Sequence, residues 1–227
     1  MGEMVSFPSN GKTASGYLAL PEGGTGPGVI VIQEWWGLVP HIKDVADRLA
    51  AAGFAALAPD LYHGETTTEP DEAAKMMMAL RIDEAARDMG GAIDYLLDGD
   101  AVASDGVGVI GFCMGGGLAL YLATQRSEVH AAVPFYGALP WDDVNPDFGS
   151  TNAAFLGHYA EDDDWATMES ARAIEAECRD LGVEATFHVY PGTEHAFFND
   201  TRPDVHDPGA SRVAWDRTVD FLHRTLG

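Results

Sequence analysis

Short apolar runs alternate with amphipathic stretches along the whole chain, and Gly, Pro and Asp punctuate them. Residues 28–33 (GVIVIQ) form a continuous apolar run, the pattern of a strand buried on both faces of a parallel sheet. Residues 107–112 read the same way. Further strands are predicted at 4–7, 15–20, 54–58, 131–136, 153–158 and 185–190. Helical periodicity marks 42–52, 115–124, 165–181 and 210–226. It also covers most of 69–97, with a break expected near 81–83. Gly11 marks a turn, 21–28 is a Gly/Pro-rich loop, and Pro59-Asp60 stops the strand before it.

Strands that alternate with helices imply a mainly parallel central sheet with helices on both faces. The 227 residues suit one domain, 1–227, and no internal repeat divides them. Sites in such sheets lie at the carboxyl ends of strands. Four polar side chains fall there: Glu34, Cys113, Asp163 and His195. Cys113 sits in Gly111-Phe112-Cys113-Met114-Gly115-Gly116, between a buried strand and a small, apolar helix. That is the pattern of a nucleophile elbow with cysteine in place of serine. Gly111 and Gly115 are expected because a β-carbon at either would collide with the neighbouring strand or helix. The order nucleophile, acid, histidine is that of the α/β-hydrolase fold, and it is independent of the elbow motif.

Each residue has a chemical part to play in such a site. Cys113 is the candidate nucleophile, favoured as thiolate at a helix N-terminus. His195, beyond the last strand, is the candidate base and later acid. Asp163 is the candidate to fix the histidine tautomer, although the run Glu161-Asp162-Asp163-Asp164 leaves the register open and such a run is commonly solvated surface. Glu34 ends the strand at 28–33, where a buried carboxylate is costly unless paired or functional. It is placed to hydrogen-bond the resting thiol, or else to pair with an arginine. The backbone N–H groups of Met114 and Trp35 are the candidate oxyanion donors. Trp35 and Trp36 suit an apolar wall for a planar substrate, or simply core. Cys178 lies in a helical pattern and reads as structural.

Charge narrows the picture further. Against 36 acidic residues stand 13 basic ones, a net of −23, and only Lys12, Lys43 and Lys75 are lysines. A nucleic-acid partner is disfavoured, because phosphate binding needs basic stripes. Acid excess with scarce lysine points to adaptation to high salt, where the Debye length shrinks to about 3 Å at 1 M. An acidic cytosolic protein is the plainer alternative. Two cysteines make no disulfide framework, and no Cys/His cluster has zinc-ligand spacing. No apolar run approaches the ~20 residues needed to span a bilayer, and no signal-peptide pattern opens the chain. A cytoplasmic enzyme acting on a small molecule is expected, with no membrane partner, as a monomer or weak homo-oligomer.

These residues resemble the dienelactone hydrolase family (carboxymethylenebutenolidases). The matching segments are Gln33-Glu34-x-x-Gly37, Pro59-Asp60-Leu61-Tyr62, the elbow, Phe135-Tyr136-Gly137, the Asp163 loop and Gly192-x-x-His195-x-Phe197. The resemblance implies an α/β-hydrolase fold, no metal and no cofactor. It also implies a Cys-His-Asp triad that opens a lactone or cleaves an ester through a thioester. In that pattern the glutamate holds the resting thiol until substrate releases it. One position departs. Four residues beyond the histidine, where an arginine grips a substrate carboxylate in the family, stands Asn199. Arg202 and Arg81 are the candidates to replace it. A non-catalytic binding protein on the same scaffold is the competing reading, and a thiol redox sensor ranks last for want of a resolving cysteine.

Overall fold

The computed structural model describes residues 1–9, 11–141 and 144–227. Eight strands form one sheet: β1 (Glu3–Ser9), β2 (Lys12–Ala19), β3 (Gly26–Ile32), β4 (Ala55–Pro59), β5 (Val102–Phe112), β6 (Val129–Phe135), β7 (Ala154–Asp162) and β8 (Ala185–Glu194). Their order across the sheet is β1-β2-β4-β3-β5-β6-β7-β8. Only β2 runs against its neighbours; every pairing from β4 to β8 is parallel. Continuous apolar runs became central strands for the expected reason. All five residues of β4 are buried, as are the last seven of β5.

The helices are α1 (Pro40–Ala51), α2 (Pro70–Ala79), α3 (Ile82–Asp98), α4 (Met114–Gln125), α5 (Met168–Asp180) and α6 (Pro208–Leu226). In α1, Ile42, Val45, Ala46 and Leu49 lie on one buried stripe at helical spacing, and Pro40 opens the helix. The long helical stretch at 69–97 is indeed broken, at Leu80–Arg81, where the backbone turns extended.

Helices cover both faces of the sheet, and two glycines of β5 show it. Gly108 and Gly111 lie an odd number of residues apart and so point to opposite faces. A β-carbon on Gly108 would come within 2.8 Å of Leu222 in α6, and one on Gly111 within 1.9 Å of the Gly115 carbonyl in α4. Among the described residues no helix is long and apolar enough to cross a membrane.

Candidate active site

Five adjacent strands, β3, β5, β6, β7 and β8, deliver one functional side chain each at or just past their carboxyl ends. Pairing register does the positioning. Ile32 pairs with Gly111, and Phe112 with Phe135. Glu34, Cys113 and Tyr136 therefore emerge side by side. Asp162 pairs with Glu194, which brings the next residues, Asp163 and His195, together.

Cys113 occupies a left-handed backbone conformation, φ 56° and ψ −122°, directly before α4. A non-glycine residue is rarely found there, and such outliers gather at functional turns. Its N–H donates to the Phe135 carbonyl at 3.0 Å, which ties the bend to β6. A β-carbon on Gly115 would meet the carbonyl oxygens of Gln33 and Ile32 at 2.4 and 2.5 Å. Only glycine lets α4 start so close above β3. The thiol-bearing residue is 7% exposed.

His195 Nδ1 stands 2.6 Å from Asp163 Oδ2. The other carboxylate oxygen, Oδ1, accepts the backbone N–H groups of Trp165 and Ala166, each at 2.9 Å. Of the acidic run, Asp163 is the residue that meets His195; it is buried, while Asp162 and Asp164 face solvent. Burial opposes charge on Asp163, but the hydrogen bond and charge of His195 and the two N–H donors outweigh it and hold the carboxyl below its ordinary range. Burial likewise opposes charge on His195. The bond to Asp163, together with Cys113 as hydrogen-bond partner and charge, prevails and pushes the imidazole up to about 10. The ring is packed by Tyr136 and Trp165, both edge-on, at 5.0 and 5.3 Å between centroids.

Glu34 is 1% exposed, and burial raises its pKa. Here the structure departs from expectation. The hydrogen bond of Glu34 is with Asn199, whose Nδ2 donates to Oε2 at 2.9 Å, and none is formed with Cys113 among the described residues. The arginine alternative is met only at a distance, since Arg202 favours the ionised carboxyl through its charge without bonding to it. Asn199 is itself 2% exposed. It is part of the polar floor of the site, beneath the solvent-facing surface.

Met114 is the first residue of α4, so its N–H has no acceptor within the helix. Trp35 follows Glu34, and its ring meets that of Trp36 edge-on at 5.0 Å. Both rings line a cavity of about 610 Å³ with Val39, Pro70, Asn199 and Arg202. Arg81 is set apart. It pairs with Asp83 and Glu84 and faces a different hollow, beside Lys75 and Met76.

Two tyrosines carry no role in the sequence reading yet stand in the site. Tyr136, at φ 37°, is fully buried, and burial with the nearby charges of Glu34 and Cys113 lifts its pKa well above the usual phenol range. Its hydroxyl lies beside Glu34 without the geometry of a hydrogen bond. Tyr62 donates its hydroxyl to the Met114 sulfur at 3.4 Å, and burial and the Cys113 charge raise its pKa as well. The available signal was position: Tyr136 directly follows the strand next to the elbow strand.

The loop after His195 is firmly anchored. The Phe197 carbonyl accepts the Asp207 N–H at 3.0 Å and the Ser211 hydroxyl at 2.9 Å. The Arg48 guanidinium lies over the rings of Phe198 and Trp215, at 5.0 and 4.5 Å from their centroids.

A mainly parallel sheet with a strand-turn-helix elbow, an acid after β7 and a histidine after β8 defines the α/β-hydrolase class. Residues 14–226 match the model of the dienelactone hydrolase family. "Protein usf" of Aquifex pyrophilus is 38% identical over 233 residues, covering 100% of both chains. The "Putative carboxymethylenebutenolidase" of Aquifex aeolicus (strain VF5) is 36% identical, again with 100% of both chains covered. A solved dienelactone hydrolase-like promiscuous phosphotriesterase from metagenomic libraries superimposes with a TM-score of 0.88 at 26% identity, over 100% of this chain and 99% of that one. The chain belongs to the dienelactone hydrolase family, and its class is that of the carboxylic-ester hydrolases.

Proposed function

We propose that this enzyme opens a lactone or cleaves a small carboxylic ester with Cys113 as nucleophile, through a thioester. The observation that carries this reading is the contiguous set Cys113, His195 and Asp163, with the cysteine held in a left-handed bend and the histidine bound to a buried carboxylate at 2.6 Å. The carboxymethylenebutenolidase name of the Aquifex aeolicus relative supports the substrate class.

The steps follow from the positions. His195 takes the thiol proton, and Asp163 stabilises the imidazolium so formed. The sulfur attacks the acyl carbon, forming an S–C bond while the carbonyl π pair moves to oxygen. The N–H groups of Met114 and Trp35 receive that oxyanion. Collapse expels the ester or ring oxygen, which takes the proton from His195 and leaves a thioester. Water then gives a proton to His195 and its oxygen to the acyl carbon. The thiolate departs, and the acid is released. In a lactone the expelled oxygen stays on the product as a hydroxyl or enol.

Purified protein and Cys113→Ala, each confirmed folded, are assayed for ring opening of a dienelactone by absorbance loss and for cleavage of simple esters. Turnover lost with the thiol supports the reading. Full turnover by Cys113→Ala overturns it.

A further inference from the structure

Glu34 stands at the end of β3 with four groups around it: His195, Arg202, Tyr136 and Asn199. Its hydrogen bond goes to Asn199. The orientation of the Asn199 amide is not free. Its Oδ1 accepts both the N–H and the hydroxyl of Thr201, at 3.1 and 2.6 Å. Reversing the amide would set an NH2 against that N–H and an oxygen against the carboxyl, so Nδ2 must face Glu34. The backbone fixes the residue as well. Asn199 N–H donates to Ala196 at 2.9 Å, and the Asn199 carbonyl accepts from Arg202 at 3.1 Å. A buried side chain bonded on both ends makes a rigid bracket.

We infer that Asn199 is a positioning residue that commits the Glu34 carboxyl to itself, so that the Cys113 thiol is left to His195 before any substrate arrives. The inference rests on the cysteine-nucleophile reading given above. A carboxylate turned onto the thiol would compete with His195 for its proton and, when ionised, would repel the thiolate. Asn199 holds Oε2, one of the two carboxylate oxygens, away from that encounter.

The test is the rate at which iodoacetamide labels Cys113 in substrate-free, full-length protein at neutral pH, read by mass spectrometry of the Cys113 peptide. Asn199→Ala is expected to slow labelling about tenfold, because a freed carboxylate beside the thiol disfavours the thiolate. In a Glu34→Gln background, where no carboxylate can be released, Asn199→Ala should change the rate less than about twofold. Wild-type labelling in folded Asn199→Ala overturns the inference. So does a slowing that persists in the Glu34→Gln background, because the effect would then run through the His195 loop. If Asn199→Ala fails to fold, Thr201→Val decides. It keeps Asn199 and Glu34 but removes the hydroxyl that orients the amide, and its labelling must fall below wild type or the inference is wrong. A Cys113→Ala protein with full turnover would overturn the nucleophile reading; inactive Cys113→Ala with unchanged labelling in Asn199→Ala would overturn only the bracket.

Discussion

Asp163 binds His195 with one carboxylate oxygen and its own loop with the other. The acid is thereby oriented by Trp165 and Ala166 before the histidine takes its place. The pair favours the imidazolium: His195 is pushed up to about 10, and Asp163 is held below its ordinary range. In a ring-nitrogen NMR titration His195 should remain protonated at pH 8. Asp163→Asn should bring its midpoint down toward the ordinary 6.5. Cys113→Ala should lower it as well, since the thiol contributes to the rise.

The same shifts set a pH dependence of stability. His195 has a raised folded pKa, so its contribution is complete below 6.5 and declines as pH climbs toward 10. Asp163 has a depressed one, so its contribution is present above 3.8 and lost as pH falls through the folded value. The stability gap between wild type and His195→Ala should therefore be level only below about pH 6.5 and shrink steadily from neutrality toward pH 10. Urea unfolding from pH 6 to 10 measures it, and a gap that widens with pH would contradict the pairing.

Gly115→Ala should damage both fold and activity. Its β-carbon would press on the Gln33 and Ile32 carbonyls at 2.4 and 2.5 Å, which are backbone atoms that cannot swing aside. Overpacking of this kind costs about 1–3 kcal/mol. It would also push the start of α4, and with it the Met114 N–H, away from β3. Denaturant midpoints and kcat together check this, and a silent substitution would mean that α4 shifts freely.

The two candidate arginines should behave differently. Both are ion-paired to acidic neighbours, Arg202 to Asp204 at 2.9 Å and Arg81 to Asp83 and Glu84, but Arg202 borders the cavity of Trp35 and Trp36, whereas Arg81 borders a different hollow. Arg202→Ala should raise KM for an ester bearing a free carboxylate about tenfold more than for its neutral analogue, the scale of one charged hydrogen bond. Arg81→Ala should show no such preference. Steady-state kinetics on the matched pair of esters distinguishes them, and equal effects would remove Arg202 from substrate recognition.

A net charge of −23 on 227 residues should make stability depend on salt. Thermal unfolding should shift upward between low and molar KCl as self-repulsion is screened. Equal melting temperatures would leave only an acidic protein with no salt requirement.

Much of this was legible in the chain because it is written locally. Buried parallel strands announce themselves as apolar runs, and the elbow needs its glycines at fixed spacing around Cys113. Strand order then places polar strand ends together, so Cys113, Asp163 and His195 were within reach of pattern alone. What pattern does not carry is the choice of partner among groups that converge from distant segments. Glu34 and Asn199 are 165 residues apart, and nothing local says that an amide rather than a thiol will face the carboxyl. Tyr136 stood in the matching segment 135–137 but took no role there, because a buried aromatic beside other aromatics reads as core. Arg81 was named as a candidate, yet it lines a hollow with Lys75 and Met76 and not the cavity of Trp35 and Trp36.

Arg48 reaches from α1 across Phe198 to Trp215 of α6, and so clasps the segment that leads away from His195. It also pairs with Asp44 of its own helix at 3.9 Å, and its side chain is partly shielded from solvent. Counter-ions weaken such a clasp far less than they weaken an exposed pair of opposite charges. The contacts of the segment beyond His195 should therefore respond to salt less than the exposed ion pairs around them. A change in ionic strength would then be felt in how often a charged substrate arrives and how firmly the whole chain holds together, while the machinery that meets the substrate keeps its shape.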